Sequence, residues 1–204
     1  MPYVGNDVVD LKEPANAGKS KNSRFLKKIL TDAEIEFIKN AENPDTALWS
    51  LWACKEAAYK VIKKSFPDTA FIPRRWPVTF NKTKTKYLDG EVMIPDAGGV
   101  FIRLFSNPQY VHCIGADNPA ALNKLIWSVE VLPEEETNPS VFSRHCLAQS
   151  LAKHFSLNLH QIKIVRKRKN GELQPPCVYI DGKKTDIDIS LSHDGRFVAY
   201  AYNL

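Results

Sequence analysis

The chain opens on a run of β-branched residues closed by polar ones. Residues 3–11, Tyr-Val-Gly-Asn-Asp-Val-Val-Asp-Leu, predict a short strand. A polar stretch follows as far as Asn22, and residues 24–30 read as a helical turn. Thr31 with Glu34 three residues on makes a capping box, which predicts a helix to about Ala41. Asn43-Pro44-Asp45 breaks it. From Thr46 to Lys64 the residues Leu48, Leu51, Trp52, Tyr59 and Ile62 recur at helical spacing, with Ala53, Ala57 and Ala58 as good helix formers. This is the strongest helical pattern in the chain, and Phe66-Pro67-Asp68 ends it.

Between Phe71 and Asp117 the pattern turns to short strands at 78–80, 87–88, 91–94, 100–104 and 110–114. Asp89-Gly90 and Gly98-Gly99 read as hairpin turns between them, and Asn107-Pro108 as a further break. After Asp117-Asn118-Pro119 a similar plan returns. It has a strand at 126–132, an acidic loop, a helix at 140–155 and a strand at 162–165. Asn170-Gly171 marks a turn, and further strands lie at 178–180 and 186–202, the last divided by Asp194-Gly195. Asp89-Gly-Glu-Val92 echoes Asn170-Gly-Glu-Leu173, and Leu104-Phe-Ser-Asn107 echoes Ser190-Leu-Ser-His193. The two echoes need a gap between them, but the order strand, helix, strand meander recurs. The expectation is an α+β fold of two similar lobes, residues 1–118 and 119–204. Each would be a small antiparallel sheet with a long helix, and the two would pack about a pseudo-twofold axis and share a cleft.

Composition narrows the class. At 204 residues, 44% hydrophobic and 25% charged, the chain can bury a core, which excludes disorder and collagen-like structure. The net charge of +5 favours an acidic partner without demanding nucleic acid. None of Cys54, Cys113, Cys146 and Cys177 forms a C-x-x-C pair, so reduced thiols in a reducing compartment are expected. The first residues carry Asp7 and Asp10 and no apolar run of the secretory kind. The stretch 104–116 is free of charge but too short and too polar to span a bilayer. A cytoplasmic protein with no membrane partner is the expectation.

Four places carry candidate chemistry. Asp7 and Asp10 lie in an apolar strand, where acids are paired, bind metal or mark the strand's polar end. Glu56 and Lys60, at i and i+4, are either an exposed pair or a functional one, since Trp52 and Tyr59 flank Glu56 with apolar surface. Ser190-Leu-Ser-His-Asp-Gly195 is no hydrolase triad, because neighbours in a strand point to opposite faces. Ser192 and His193 before a turn suit an anion better, beside the reading of an ordinary Asp-Gly turn. Arg166-Lys-Arg-Lys169 reads as a solvated hairpin arm or a contact for phosphate or an acidic protein. The His-Cys neighbours lack zinc spacing, and no Gly-rich nucleotide loop is present.

Together these segments resemble the 4′-phosphopantetheinyl transferases. Gly5-Asn-Asp-Val-Val-Asp-Leu11 is similar to the family's G-x-D strand. Arg24-Phe-Leu-Lys-Lys-Ile-Leu-Thr-Asp-Ala-Glu34 is similar to the R-F-x-x-R-x-L-[ST]-x-x-E stretch of holo-acyl-carrier-protein synthases. Trp52-Ala-Cys-Lys-Glu-Ala-Ala-Tyr-Lys60 resembles the W-x-x-K-E-[AS]-x-x-K helix, and Ser190-Leu-Ser-His193 the S-x-S-H segment. The four stand in the order of the synthase branch, while residues 65–160 match only in plan.

The resemblance implies two α+β lobes of one ancestry and a monomer, where small synthases build each site between two chains. It implies transfer of the phosphopantetheine arm of coenzyme A to a serine of an acidic apo carrier protein, as in fatty acid or polyketide biosynthesis. Adenosine 3′,5′-bisphosphate would be released. Asp7 and Glu56 would hold Mg²⁺ on the pyrophosphate, and Glu56, or a water it holds, would take the serine proton. Lys60 would meet a phosphate oxygen, Ser192 and His193 the 3′-phosphate, and Arg24, Lys27 and Lys28 the carrier.

There are departures from the family pattern. Val9 replaces a glutamate found in the larger members, and Asp10 stands where small synthases have an acid. Val61-Ile-Lys-Lys64 replaces a glycine-rich turn. The lysine of a G-K-P segment is missing from Gly171-Glu-Leu-Gln-Pro175, and Lys169 is the nearby base that would replace it. Asn107 falls on the repeat position of His193, so one active site is expected. The competing readings are a non-catalytic descendant binding carrier protein or coenzyme A, and a nucleic-acid binder resting on residues 166–169.

Overall fold

The computed structural model describes residues 2–81, 86–169 and 171–204, apart from the side chains of Lys169 and Glu172. Its first half contains β1 (Val4–Asp10), α1 (Ser23–Ile29), α2 (Asp32–Lys39), α3 (Pro44–Ser65), β2 (Val78–Phe80), β3 (Leu88–Ile94), β4 (Gly98–Ser106) and β5 (Tyr110–Ala116). The strands form one antiparallel sheet in the order β1-β5-β4-β3-β2. α3 lies on it, burying Leu51, Cys54, Ala57, Ala58 and Val61 against Val92, Ile102 and Leu104. A fully buried aliphatic side chain contributes about 1.5–3 kcal/mol, so this face of α3 anchors the half.

The second half contains α4 (Pro119–Leu122), β6 (Ile126–Val131), α5 (Pro139–Phe155), β7 (Ile162–Val165), β8 (Arg168–Lys169), β9 (Glu172–Leu173), β10 (Cys177–Ile180), β11 (Lys183–Lys184), β12 (Asp188–Asp194) and β13 (Phe197–Asn203). Its sheets run β12-β13-β6 and β11-β10-β7, with β8 and β9 a separate ribbon. α5 packs Leu147 and Leu151 on Ile189 and Tyr202. Between the halves lie Val4, Ile114, Leu122 and Ala201, and then Val8, Phe197 and Ala199. Among the described residues no helix is long and apolar enough to cross a membrane.

The fold is α+β, and the two lobes repeat one plan. β1 precedes α3 and pairs with β5, which pairs with β4. β6 precedes α5 and pairs with β13, which pairs with β12. The hairpin tips fix the equivalence. Asn107 N–H donates to the Tyr110 carbonyl as β4 turns into β5, and Asp194 faces Phe197 as β12 turns into β13. His193 therefore falls on Ser106, one residue from the expected Asn107. Ser192 falls on Phe105, and the cross-strand partners place Asn6 on Trp127 and Asp7 on Ser128.

Three other local readings change. Asn43-Pro44 does not merely break a helix. Asn43 accepts from Thr46 N–H and Pro44 occupies the first turn of α3, where its missing N–H costs nothing. Asp89-Gly90 is no turn but lies inside β3. A Cβ at Gly90 would sit 2.2 Å from the Thr79 carbonyl, so the glycine serves close strand approach. The β3–β4 turn lies at residues 95–97, just before Gly98, whose φ is +88°. The position that echoes Asp89, Asn170, lies outside the described residues.

Candidate active site

β1 has two working faces. Gly5, Asp7 and Val9 point towards α3, while Val4, Asn6, Val8 and Asp10 point towards the second lobe. A Cβ on Gly5 would lie 2.0 Å from the Ala57 carbonyl, so only glycine lets the strand cross this close to the helix. That approach brings Asp7 to Lys60, whose Nζ donates to Asp7 Oδ1 at 2.8 Å and to the Asn6 carbonyl at 2.7 Å. Lys60 thus pairs with Asp7 rather than with Glu56 one turn earlier.

Glu56 is half-buried, with no hydrogen bond among the described residues. Burial and then the charge of Asp7 push its carboxyl up to about 7. Burial likewise raises Asp7, against the pull of Lys60. Two carboxylates and one ammonium leave a net negative site that a hard cation would relieve. Among the described residues no group of three or more His, Cys, Asp or Glu is arranged to hold a metal ion. A magnesium ion fits this pair only with its other positions filled by phosphate oxygens and water. Asp10 is excluded from the ligand set. Its Oδ1 accepts from Arg196 Nη2 at 2.7 Å and its Oδ2 from Arg196 Nε at 2.8 Å, which hold its carboxyl down at about 2 against the cost of burial.

The second lobe closes on the free edge of β1. Asp188, Ser190 and Asp194 of β12 accept the N–H groups of Val4, Asn6 and Asp10 at 2.6, 2.9 and 2.8 Å. Ser192 Oγ donates to Asn6 Oδ1, and Lys64 Nζ bridges the Val4 carbonyl and Asp188 Oδ2, both at 2.6 Å. This seam was missed from the sequence. Its signal is the alternation Asp188-x-Ser190-x-Ser192-x-Asp194, a row of short polar side chains on one strand face. His193 points the other way, is exposed, and feels the charges of Lys60 and Asp7; burial around its ring lowers its pKa.

Beside the seam opens a cleft of about 370 Å³. Lys60, Ser192 and His193 line it, so the structure brings these sequence candidates together, with Asp7 reached through Lys60. Arg144 of α5 and Arg166 add charge to its wall, close enough that Arg144 lowers the pKa of Arg166 beyond the effect of burial. Neither has a carboxylate partner among the described residues. The side chain of Lys169 lies outside the described residues. A second hollow of about 660 Å³ shares Lys63, Lys64, Pro175 and Pro176 with the cleft and extends it.

The fold and site define a two-lobed protein in which a half-buried carboxylate pair lies beside a lysine that lines a basic cleft. The chain belongs to the 4′-phosphopantetheinyl transferase superfamily, whose family model matches residues 3–118. It is similar to the holo-[acyl-carrier-protein] synthase of Leptospira biflexa, with 36% identity over 62 residues, 30% of this chain and 49% of that one. The synthase of Chloroherpeton thalassium is 37% identical over 59 residues, 29% of this chain and 49% of its own. The chain thus spans about half the length of these relatives. The crystal structure of Thermotoga maritima holo-[acyl-carrier-protein] synthase aligns with a TM-score of 0.41 and 14% identity, covering 90% of this chain and 86% of that one.

Proposed function

We propose that the protein moves the 4′-phosphopantetheine arm of coenzyme A to a serine hydroxyl of an apo carrier protein. The carrying observation is the half-buried pair Asp7 and Glu56, with burial and the charge of Asp7 raising the Glu56 carboxyl, beside Lys60, which lines a basic cleft. The serine oxygen attacks the phosphorus nearer the pantetheine, and the pyrophosphate bridge breaks. Adenosine 3′,5′-bisphosphate leaves, and the serine proton goes to Glu56 or to a water it holds. Asp7 and Glu56 would hold magnesium, which when bound neutralises charge on the pyrophosphate. Lys60 lies between the carboxylates and the cleft and orients the donor's phosphates. His193, Arg144 and Arg166 supply the cationic wall for the rest of the donor. The exposed Arg24, Lys27 and Lys28 of α1 offer an acidic carrier its docking charge.

The test is the intact mass of an apo acyl carrier protein incubated with the enzyme, coenzyme A and Mg²⁺. A gain of about 340 Da is expected, lost on chelation and reduced by about 10²–10⁴-fold in rate in Glu56→Gln. No gain with several carriers, while coenzyme A still binds, would replace catalysis by a binding role.

A further inference from the structure

The tip of the β12–β13 hairpin carries His193 and is bolted to β1 on both sides of that residue. Before it, Ser192 donates to Asn6. After it, Asp194 Oδ2 accepts from Asp10 N–H at 2.8 Å and from Asn16 Nδ2 at 2.7 Å. Arg196 then closes on Asp10 with three donors, its own N–H at 3.0 Å and the two guanidinium nitrogens. Lys12 N–H takes the remaining place on Asp10 Oδ1 at 2.8 Å. Gly195 sits between them with φ +49°, and a Cβ there would lie 2.6 Å from Asp10 Oδ2. His193 itself makes no hydrogen bond among the described residues.

This network is more than lobe adhesion requires, since Val8, Phe197 and Ala199 already bury an apolar contact beside it. An apolar contact tolerates sliding, whereas a two-pronged guanidinium–carboxylate pair fixes direction and distance. The Asp10 side chain has 0% exposure and that of Arg196 48%, so the pair is anchored on the β1 side and reached from solvent on the other. β1 is also the strand that carries Asp7.

We infer that Asp10 and Arg196 are positioning residues, which set His193 at a fixed distance from Asp7 and Glu56 so that one donor molecule meets both lobes. The inference rests on the proposed reading of the cleft as a coenzyme A site. Asp10 and Arg196 touch no substrate, and their effect passes through His193.

The experiment is a double-mutant cycle read by calorimetric binding of coenzyme A in the presence of Mg²⁺. Arg196→Gln and His193→Ala should each weaken binding by about tenfold, and the double variant should be no weaker than His193→Ala alone. Arg196→Lys, which keeps the charge, should recover part of the loss. Independent effects that multiply in the double variant would overturn the inference. So would an Arg196→Gln protein that melts earlier but binds normally, or a His193→Ala protein that binds normally. If Arg196→Gln does not fold, Gly195→Ala displaces the same tip and enters the same cycle. A wild-type protein that binds no coenzyme A would remove the underlying reading, and the inference with it. Binding with multiplying effects would remove the inference alone.

Discussion

His112 is wholly buried, with neither ring nitrogen hydrogen-bonded among the described residues. It lies against the touching rings of Phe105 and Trp127, and burial holds its pKa down at about 3. The unfolded chain takes up a proton near the ordinary histidine value of 6.5, but the folded protein does not. Stability is therefore full above that value and falls with pH below it, by about 1.4 kcal/mol per unit until the folded pKa is reached. His112→Phe keeps the ring and removes the proton site. Its stability advantage over wild type should grow by about that slope below pH ~5.5 in urea unfolding. A constant difference between pH 7 and 4.5 would mean that the imidazole has a partner in solution. The sequence showed this residue only as a His-Cys neighbour without zinc spacing. Its surroundings depend on the packing of β4 against β6, which local pattern does not encode. Asp7, Glu56, Lys60 and His193 were legible because each sits in a short motif. The fate of Asp10 was not, because its partner Arg196 is distant in sequence and carries no motif.

α3 shows how one element serves both core and chemistry. Its apolar face was legible from periodicity, and Glu56, Lys60 and Lys64 follow at four-residue steps along one side. Lys55, next to Glu56, turns inward instead and is fully buried. Its Nζ donates to the carbonyls of Ile29 and Pro73 at 3.0 and 2.8 Å and to Glu34 Oε2 at 2.6 Å. Glu34 also closes the capping box of α2 and accepts Val78 N–H. The lysine of the helix motif and the glutamate of the α1–α2 motif are thus one ion pair that ties α3 to its neighbours. The capping box was read from the sequence, but its second task was not, since a local rule already explained Glu34. Lys55→Met leaves a buried carboxylate unpaired and should cost about 3–5 kcal/mol in chemical denaturation. The double variant Lys55→Met/Glu34→Gln removes that orphan charge and should be more stable than Lys55→Met. If it is less stable, the glutamate's hydrogen bonds, and not its charge, carry the effect.

At the scale of the molecule, the pseudo-twofold axis generates a second place where a site could stand, and the residues there cannot form one. Ser128 replaces Asp7, and Ser106 replaces His193. Counting from the caps Asn43 of α3 and Asn138 of α5, Leu151, fully buried, replaces Glu56. The polar contact between Ser192 and Asn6 becomes the contact of Phe105 with Trp127, whose ring centroids are 4.3 Å apart. Polar groups have been exchanged for aromatic packing, so the second position holds the lobes together while the first carries the proposed site. A site made between lobes of one chain needs no second copy. The expected outcome is a monomer in light scattering and one coenzyme A bound per chain in calorimetry. Since Asp7 and Glu56 are the carboxylate pair that the proposed site offers magnesium, Mg²⁺-dependent enhancement of that binding should disappear in Glu56→Gln. Two equivalents per chain would require a pocket on the aromatic side, where Phe105 and Trp127 already fill the space. Half an equivalent per chain would require a site shared between copies, and the ordered β1–β12 seam would then be only one wall of it.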